Sequence, residues 1–350
     1  MKILFYSIKK FEKSYLLNEN SNHYIIEFTE KTLSVESIEL AFGIEIISIS
    51  TNDDASKENL HSLFLKGVRF ITVRATGYDN VDVSYANKIG LKVTNVQVYS
   101  PNAIAEHTIG LMLALNRKLM TAYTQTHNYN FTLDELIGFN LIGKTIGIIG
   151  TGEIGSIVAK ILHGFGCKII AYDIVQNLKL HENYQVNYTS METLCSEADI
   201  ITIHIPLNPE TKYLIKEELI GLMKKKVMII NTARGAIVNT NDIIKYLKNG
   251  HIGYYGADVY ENERGVFFND LSITGLKDKN LATLLEMKNV LITPHQAFAT
   301  DEAIKNIARI TFNNIESYIK KETLANEVKI IVEKQKNKQF KRNYGTSNYY

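Results

Sequence analysis

The stretch Thr145-Ile-Gly-Ile-Ile-Gly150-Thr-Gly152-Glu-Ile-Gly155 constrains this chain more than any other. An apolar, β-branched run enters a Gly-x-Gly-x-x-Gly turn, and Ile157, Ile161 and Leu162 continue it at helical spacing. In that context Gly150 permits the tight turn, Gly152 lets backbone N–H groups approach a pyrophosphate, and Gly155 lets the helix pack on the strand. The helix N-terminus then faces the phosphates. The next strand ends in Ala171-Tyr172-Asp173, at the spacing of a ribose-binding acid, and no Arg or Lys follows before Lys179. A carboxylate there accepts hydrogen bonds from the adenosine ribose hydroxyls and repels a 2′-phosphate, so NAD is the expected cofactor rather than NADP. The competing local reading makes Asp173 an ordinary strand-end turn residue.

Around this motif, β-branched runs alternate with helical patterns. Before it, Lys2 to Ser7, Tyr24 to Phe28, Ile44 to Ser48 and Phe70 to Arg74 read as strands. After Gly143, six more are expected at 145–149, 168–173, 200–204, 227–231, 253–258 and 290–292. Strict alternation of this kind predicts parallel sheets with helices on both faces, an α/β fold. Ser100-Pro101 supplies an N-cap and a first-turn proline for a long helix through Ala105, Ile109, Met112, Leu113 and Leu119. Thr300, Asp301 and Glu302 open a last helix running to about Lys320.

Composition narrows the partners. The chain has 350 residues, 45% of them hydrophobic, which is enough for two domains with their own cores. A formal charge of +2 with both signs dispersed argues against nucleic acid and for a small-molecule partner. Lys9 and Lys10 interrupt the apolar start before it could act as a secretory core or a membrane span, so a cytoplasmic protein is expected. Cys167 and Cys195 are the only thiols, without metal-ligand spacing, and read as reduced core residues with no metal site.

Three polar groups follow later strands, at the sheet end where open α/β folds place their ligands. Arg234 follows the run 229–233, Glu263 the strand ending at Asp258, and His295 the run 291–294. Reduction of a 2-keto acid needs a fixed cation for the carboxylate and carbonyl, and a proton donor for the oxygen that gains charge. A planar guanidinium suits the first role and an imidazole the second. A carboxylate such as Glu263 beside the imidazole stabilises its charged form and holds its tautomer. Taken singly, each residue has a plainer explanation, as a surface ion pair, a solvated charge or a packed ring.

These motifs resemble the D-isomer-specific 2-hydroxyacid dehydrogenases. The likeness rests on 150–155, Asn231-Thr-Ala-Arg-Gly235, Thr293-Pro-His-Gln-Ala-Phe298 and the run from Ala257 to Phe268, and the last of these is similar to the bacterial D-lactate dehydrogenase branch. The resemblance implies two Rossmann-like domains with the active-site cleft between them. On that reading a substrate domain of 1–99 plus 299–331 is interrupted by an NAD-binding domain of 100–298, and the polar, unpatterned composition of 332–350 leads us to expect a mobile tail there. It implies Arg234 as substrate anchor, Glu263 as partner of the histidine and His295 as the acid–base residue. Thr76 and Gly77 correspond to a loop receiving the substrate carboxylate, and Tyr99 and Phe298 to pocket walls. Glu153 and Ile154 correspond to residues under the pyrophosphate, Ile205, Pro206 and Thr211 to the adenosine side, and Thr232, Ala233 and Asp258 to the nicotinamide side. Thr211 as a helix cap and Ile205-Pro206 as a strand end stay open as alternatives.

The expected activity is reduction of pyruvate to D-lactate with NADH by a homodimer, as is usual for the family. Other 2-keto acids, among them 2-ketoisocaproate, glyoxylate and hydroxypyruvate, remain open, as does a non-catalytic NAD-sensing protein. A pure binding protein, however, has no need of an acid–base pair.

Overall fold

The structure is a computed structural model and describes residues 1–329. The polar tail expected at 332–350 lies outside the described residues. The chain forms two compact units, Met1–Tyr99 together with the described residues from Asp301, and Ser100–Thr300.

The first unit is a parallel sheet of β1 (Lys2–Phe5), β2 (Ile25–Phe28), β3 (Ile46–Ile49), β4 (Phe70–Val73) and β5 (Lys92–Thr94), in the order β2-β1-β3-β4-β5. Both faces are covered. On one, Ile3, Phe5, Ile46 and Phe70 pack against Leu16 of the helix Lys10–Glu19 and against Ala308, Phe312 and Ile315 of the helix Asp301–Ile319. On the other, Leu4, Ile47, Ile49, Ile71 and Val93 meet Leu60 and Leu63 of the helix Lys57–Leu65. Burial on both faces explains why β1, β3 and β4 read as continuous apolar runs rather than as alternating ones.

The second unit carries β6 (Thr145–Ile149), β7 (Lys168–Tyr172), β8 (Asn187–Tyr188), β9 (Ile200–Ile203), β10 (Val227–Asn231), β11 (Ile252–Ala257) and β12 (Val290–Ile292). All pairings are parallel and the order is β12-β11-β10-β9-β6-β7-β8. The sequence of strands reverses direction at β6, the topological switch point outside which such sheets bind ligands. Ile146, Ile148, Ile200 and Ile230 face the helices Pro101–Asn116 and Glu153–Gly164, while Ile149, Ile201, Ile203 and Ile229 face the helices Thr240–Lys248 and Lys279–Leu285.

Three details differ from the sequence expectation. Seven strands replace six in the second unit, and β5 is an addition in the first. β8 and β5 have only two and three residues, too few for a periodicity to register. The long helix after Ser100, whose hydroxyl caps Ala103 N at 3.3 Å, stops at Asn116 and does not reach Leu119. Lys118 turns left-handed (φ 52°), and a separate helix runs Leu119–His127. The Asn116 side chain is committed elsewhere, donating to Phe139 O at 2.7 Å and accepting from Phe139 N at 2.8 Å.

Cys167 and Cys195 are free and buried, and burial pushes both thiols up to about 11, which leaves them protonated and unreactive. Among the described residues no helix is long and apolar enough to cross a membrane. Among them, too, no group of three or more His, Cys, Asp or Glu side chains is placed to hold a metal ion.

Candidate active site

The nucleotide half grows from the end of β6. Gly150 sits at φ 94°, and a Cβ there would lie 2.6 Å from the carbonyl oxygen of His204, so both the backbone angle and the close approach of β9 require glycine. A Cβ on Gly155 would overlap the Gly150 carbonyl oxygen, which is how the helix Glu153–Gly164 comes to rest on the turn. At Gly152, the residue before that helix, a Cβ would meet nothing within 4 Å. Open space above a glycine at a helix N-terminus, with Glu153 and Ile154 in the first turn, suits a pyrophosphate and fits NAD.

Asp173, directly after β7, leans onto the same turn. Its Oδ2 accepts from Thr151 N at 2.6 Å and Thr151 Oγ1 at 3.0 Å, and its Oδ1 from Val175 N at 3.0 Å. After β9, Thr211 closes a loop by donating from Oγ1 to Pro206 O at 2.7 Å and accepting from Asn208 N at 2.8 Å, which places Thr211 beside Ile205-Pro206. His204, at the head of that loop, is a residue the sequence reading passed over. Its Nε2 pairs with Thr202 Oγ1 at 2.9 Å, and burial pushes the imidazole down to about 3, so it stays neutral.

The three candidate catalytic residues hang from three neighbouring strands. β10, β11 and β12 lie side by side, and Arg234, Glu263 and His295 follow their respective carboxyl ends. Arg234 precedes a short turn, Gly235–Ile237, and donates from Nη1 to Ala233 O at 2.8 Å, while Asn231 Nδ2 holds the Arg234 carbonyl at 2.9 Å. Gly235 presses against the loop after β11 so closely that a Cβ would overlap the Tyr260 backbone, and this joins the arginine's turn to the segment leading to Glu263. Thr232 is buried, its hydroxyl 2.8 Å from that of Thr108.

His295 Nδ1 lies 2.9 Å from Glu263 Oε1, with the two side chains 19% and 20% exposed. That burial shields the pair from bulk water while leaving an open edge. The other carboxylate oxygen of Glu263, Oε2, accepts from Tyr260 N at 3.2 Å. Because a carboxylate only accepts, Nδ1 must carry the proton that faces it, and Nε2 is the ring nitrogen turned away from Glu263. The histidine backbone is itself strained, in the left-handed region at φ 56°, next to Phe268 at φ 63°, whose ring centre stands 6.0 Å from the imidazole. Non-glycine residues hold such angles only where their surroundings compel them.

What compels His295 is Asp258. This residue, 1% exposed, accepts from Thr293 Oγ1 at 2.6 Å and Gln296 N at 2.8 Å through Oδ1, and from Ala297 N at 2.8 Å through Oδ2. One buried carboxylate thus grips the loop on both sides of the histidine. His107, from the helix Pro101–Asn116, adds Nε2 at 3.0 Å to the Thr293 hydroxyl. Sequence reasoning missed His107 and the loop-holding part of Asp258; their partners lie 186 and 35 or more residues away in the chain.

On the first unit, Thr76 and Gly77 follow β4. Thr76 Oγ1 donates to Val96 O at 2.8 Å, and Asn95 Nδ2 holds the Thr76 carbonyl at 2.8 Å. The Tyr99 carbonyl accepts from Asn306 Nδ2 at 2.9 Å. Thr76, Gly77 and Tyr99 therefore belong to one unit, and Arg234, Glu263, His295 and Phe298 to the other.

Residues 109–297 match the family model for the NAD binding domain of D-isomer specific 2-hydroxyacid dehydrogenases. The chain belongs to that family. It is an NAD-dependent oxidoreductase acting on D-2-hydroxy acids. It is 42% identical to D-lactate dehydrogenase of Escherichia coli K12 over 329 residues, covering 94% of this chain and 100% of that one. A 2-hydroxyacid dehydrogenase homolog of Haemophilus influenzae is 43% identical over 317 residues, covering 90% and 95%. Among solved structures, D-lactate dehydrogenase from Aquifex aeolicus, complexed with NAD and lactic acid, superposes with a TM-score of 0.85 at 31% identity, covering 94% of this chain and 100% of that one.

Proposed function

We propose that this dehydrogenase reduces pyruvate to D-lactate, with Arg234, Glu263 and His295 as its catalytic residues. The observation that carries the catalytic reading is the 2.9 Å contact of His295 Nδ1 with Glu263, one strand removed from Arg234 at the ligand end of the sheet. Arg234 binds the keto-acid carboxylate with its planar fork, and its permanent charge opposes the negative charge that builds on the carbonyl oxygen. His295 gives that oxygen a proton from Nε2, and in the reverse direction the same edge takes the proton back from the hydroxyl. Glu263 keeps the other ring proton on Nδ1 and stabilises the imidazolium. Bound NADH supplies the hydride to the keto carbon.

For the cofactor, Gly150, Gly152, Glu153, Ile154 and Gly155 are assigned to the pyrophosphate and Asp173 to the adenosine ribose. Ile205, Pro206 and Thr211 are assigned to the adenosine side, and Thr232, Ala233 and Asp258 to the nicotinamide side. Thr76 and Gly77 are assigned to the substrate carboxylate, and Tyr99 and Phe298 to substrate binding. The names of the E. coli and A. aeolicus relatives favour lactate. The larger 2-hydroxyisocaproate is favoured by a solved D-2-hydroxyisocaproate dehydrogenase at 30% identity and a TM-score of 0.81.

The proposed assembly is a homodimer. Leu119, Met120, Tyr123, Phe131, Leu133 and Ile137 form an exposed apolar run on the second unit, which a second copy would cover. A cytoplasmic setting agrees with the two free buried thiols, and a small-molecule rather than a nucleic-acid or membrane partner with the dispersed formal charge of +2.

The test is NADH oxidation across a panel of 2-keto acids with the product's configuration determined. The highest kcat/KM on pyruvate, with D-lactate formed, is expected. A clear preference for a branched keto acid overturns the substrate assignment, and no turnover with any of them overturns the catalytic one.

A further inference from the structure

The Asp173 carboxylate is aimed by more than the glycine-rich turn. A line of donors enters it from one side. The Asn177 backbone N–H reaches Tyr188 Oη at 2.9 Å, Tyr188 Oη lies 2.9 Å from Thr151 Oγ1, and Thr151 Oγ1 lies 3.0 Å from Asp173 Oδ2. The direction of the chain follows from its end. An ionised carboxylate only accepts, so the Thr151 hydroxyl donates to it and accepts from Tyr188. Tyr188, having given its proton to Thr151, accepts from Asn177; its 3.4 Å approach to Asn177 O is the longer, secondary contact.

Consecutive bonds of this kind polarise one another, so the chain is stiffer than its separate members. With Thr151 N and Val175 N, three donors of this chain reach the carboxylate. A carboxylate offers about four lone-pair positions, so one acceptor position is left, and its direction is set. Tyr188 owes its place to β8, whose pairing with Ile170 and Ala171 of β7 brings the phenol to the loop 173–177.

We propose that Tyr188 is a positioning residue for cofactor choice. Acting through Thr151, its hydroxyl fixes the rotation of Asp173, so that a ribose hydroxyl finds one acceptor and a 2′-phosphate meets a charge that cannot swing aside. This rests on the assignment of Asp173 to the adenosine ribose.

The experiment compares kcat/KM for NADH and NADPH, with pyruvate as oxidant, in Tyr188→Phe, Thr151→Val, the double variant, Thr151→Ser and Asp173→Ala. Tyr188→Phe is expected to lower the NADH:NADPH preference roughly three- to tenfold, the loss of one hydrogen bond's worth of orientation, with kcat at saturating NADH within about twofold of wild type. Because Tyr188 works through Thr151, the double variant should be no worse than Thr151→Val, and Thr151→Ser should keep the wild-type preference. A merely structural loss would depress both cofactors alike. An unchanged preference in Tyr188→Phe, or additive losses in the double variant, overturns the proposal while Asp173→Ala still collapses the preference. An unchanged preference in Asp173→Ala overturns the ribose assignment and the proposal with it.

Discussion

Replacing Glu263 by Gln changes one atom and removes half of what the carboxylate does. In the native site Oε1 accepts from His295 Nδ1 at 2.9 Å and Oε2 from Tyr260 N at 3.2 Å. Glutamine has one acceptor and one donor end, so it serves either the histidine or the Tyr260 amide and presents an N–H to the other. If it keeps Tyr260, its amide N–H faces Nδ1, which must then accept, and the neutral ring's proton moves to the wrong nitrogen. If it keeps the histidine, the imidazolium still loses its counter-charge. A charge-assisted hydrogen bond in a site of this burial contributes about 1.5–3 kcal/mol, and at about 1.4 kcal/mol per tenfold that is a ten- to hundredfold loss of kcat/KM for the keto acid. Stopped-flow and steady-state measurements of NADH oxidation would read it, with NADH affinity followed by fluorescence titration and expected to hold. A Glu263→Gln enzyme within twofold of wild type in kcat/KM would refute the claim that the carboxylate orients and charges His295.

Three further outcomes follow from the same geometry. His295→Ala should lose roughly 10²–10⁴-fold in kcat, the usual worth of a general acid, with NADH binding retained; turnover near wild type would remove it as proton donor. Asp258→Ala strands three donors that the buried carboxylate now satisfies. It should cost about 3 kcal/mol of stability, seen as a lowered denaturation midpoint, together with lost turnover, and an unchanged midpoint would contradict the anchoring role. His204 titrates near 3 in the folded chain against 6.5 ordinarily, so the unfolded state binds more protons between those values. The stability its burial contributes is therefore present above pH 6.5 and lost as pH falls toward 3. In His204→Gln, thermal denaturation measured across that window should depend less steeply on pH, and equal slopes would show that other groups set the acid limit.

The physical origin of each feature decides whether it could be read from the chain. The glycine turn was legible because 150 and 155 act through backbone geometry, and backbone demands are met by residue type at fixed local spacing. Arg234, Glu263 and His295 were legible as candidates because each follows a strand, yet nothing local states that the last two, 32 positions apart, touch. The two-residue β8 left no periodic trace, so Tyr188 was invisible as a partner of Thr151, 37 positions earlier. The break after Asn116 was hidden for a similar reason. It falls at the left-handed Lys118, beside an Asn116 side chain bonded to Phe139, 23 positions on.

By itself, then, the amino-acid order determined the alternating α/β pattern and the glycine-rich turn, because these arise from short-range sterics and from apolar runs that must be buried on both faces. Tertiary structure alone decided that Glu263 grips Nδ1 of His295, that Asp258 spends its carboxylate on the loop around that histidine, and that a line of hydroxyls ends on Asp173. Those are contacts between segments distant in the chain, and only the parallel sheet, by bringing the carboxyl ends of β10, β11 and β12, and likewise those of β6, β7 and β8, side by side, sets the distances on which hydrogen bonds and charges depend.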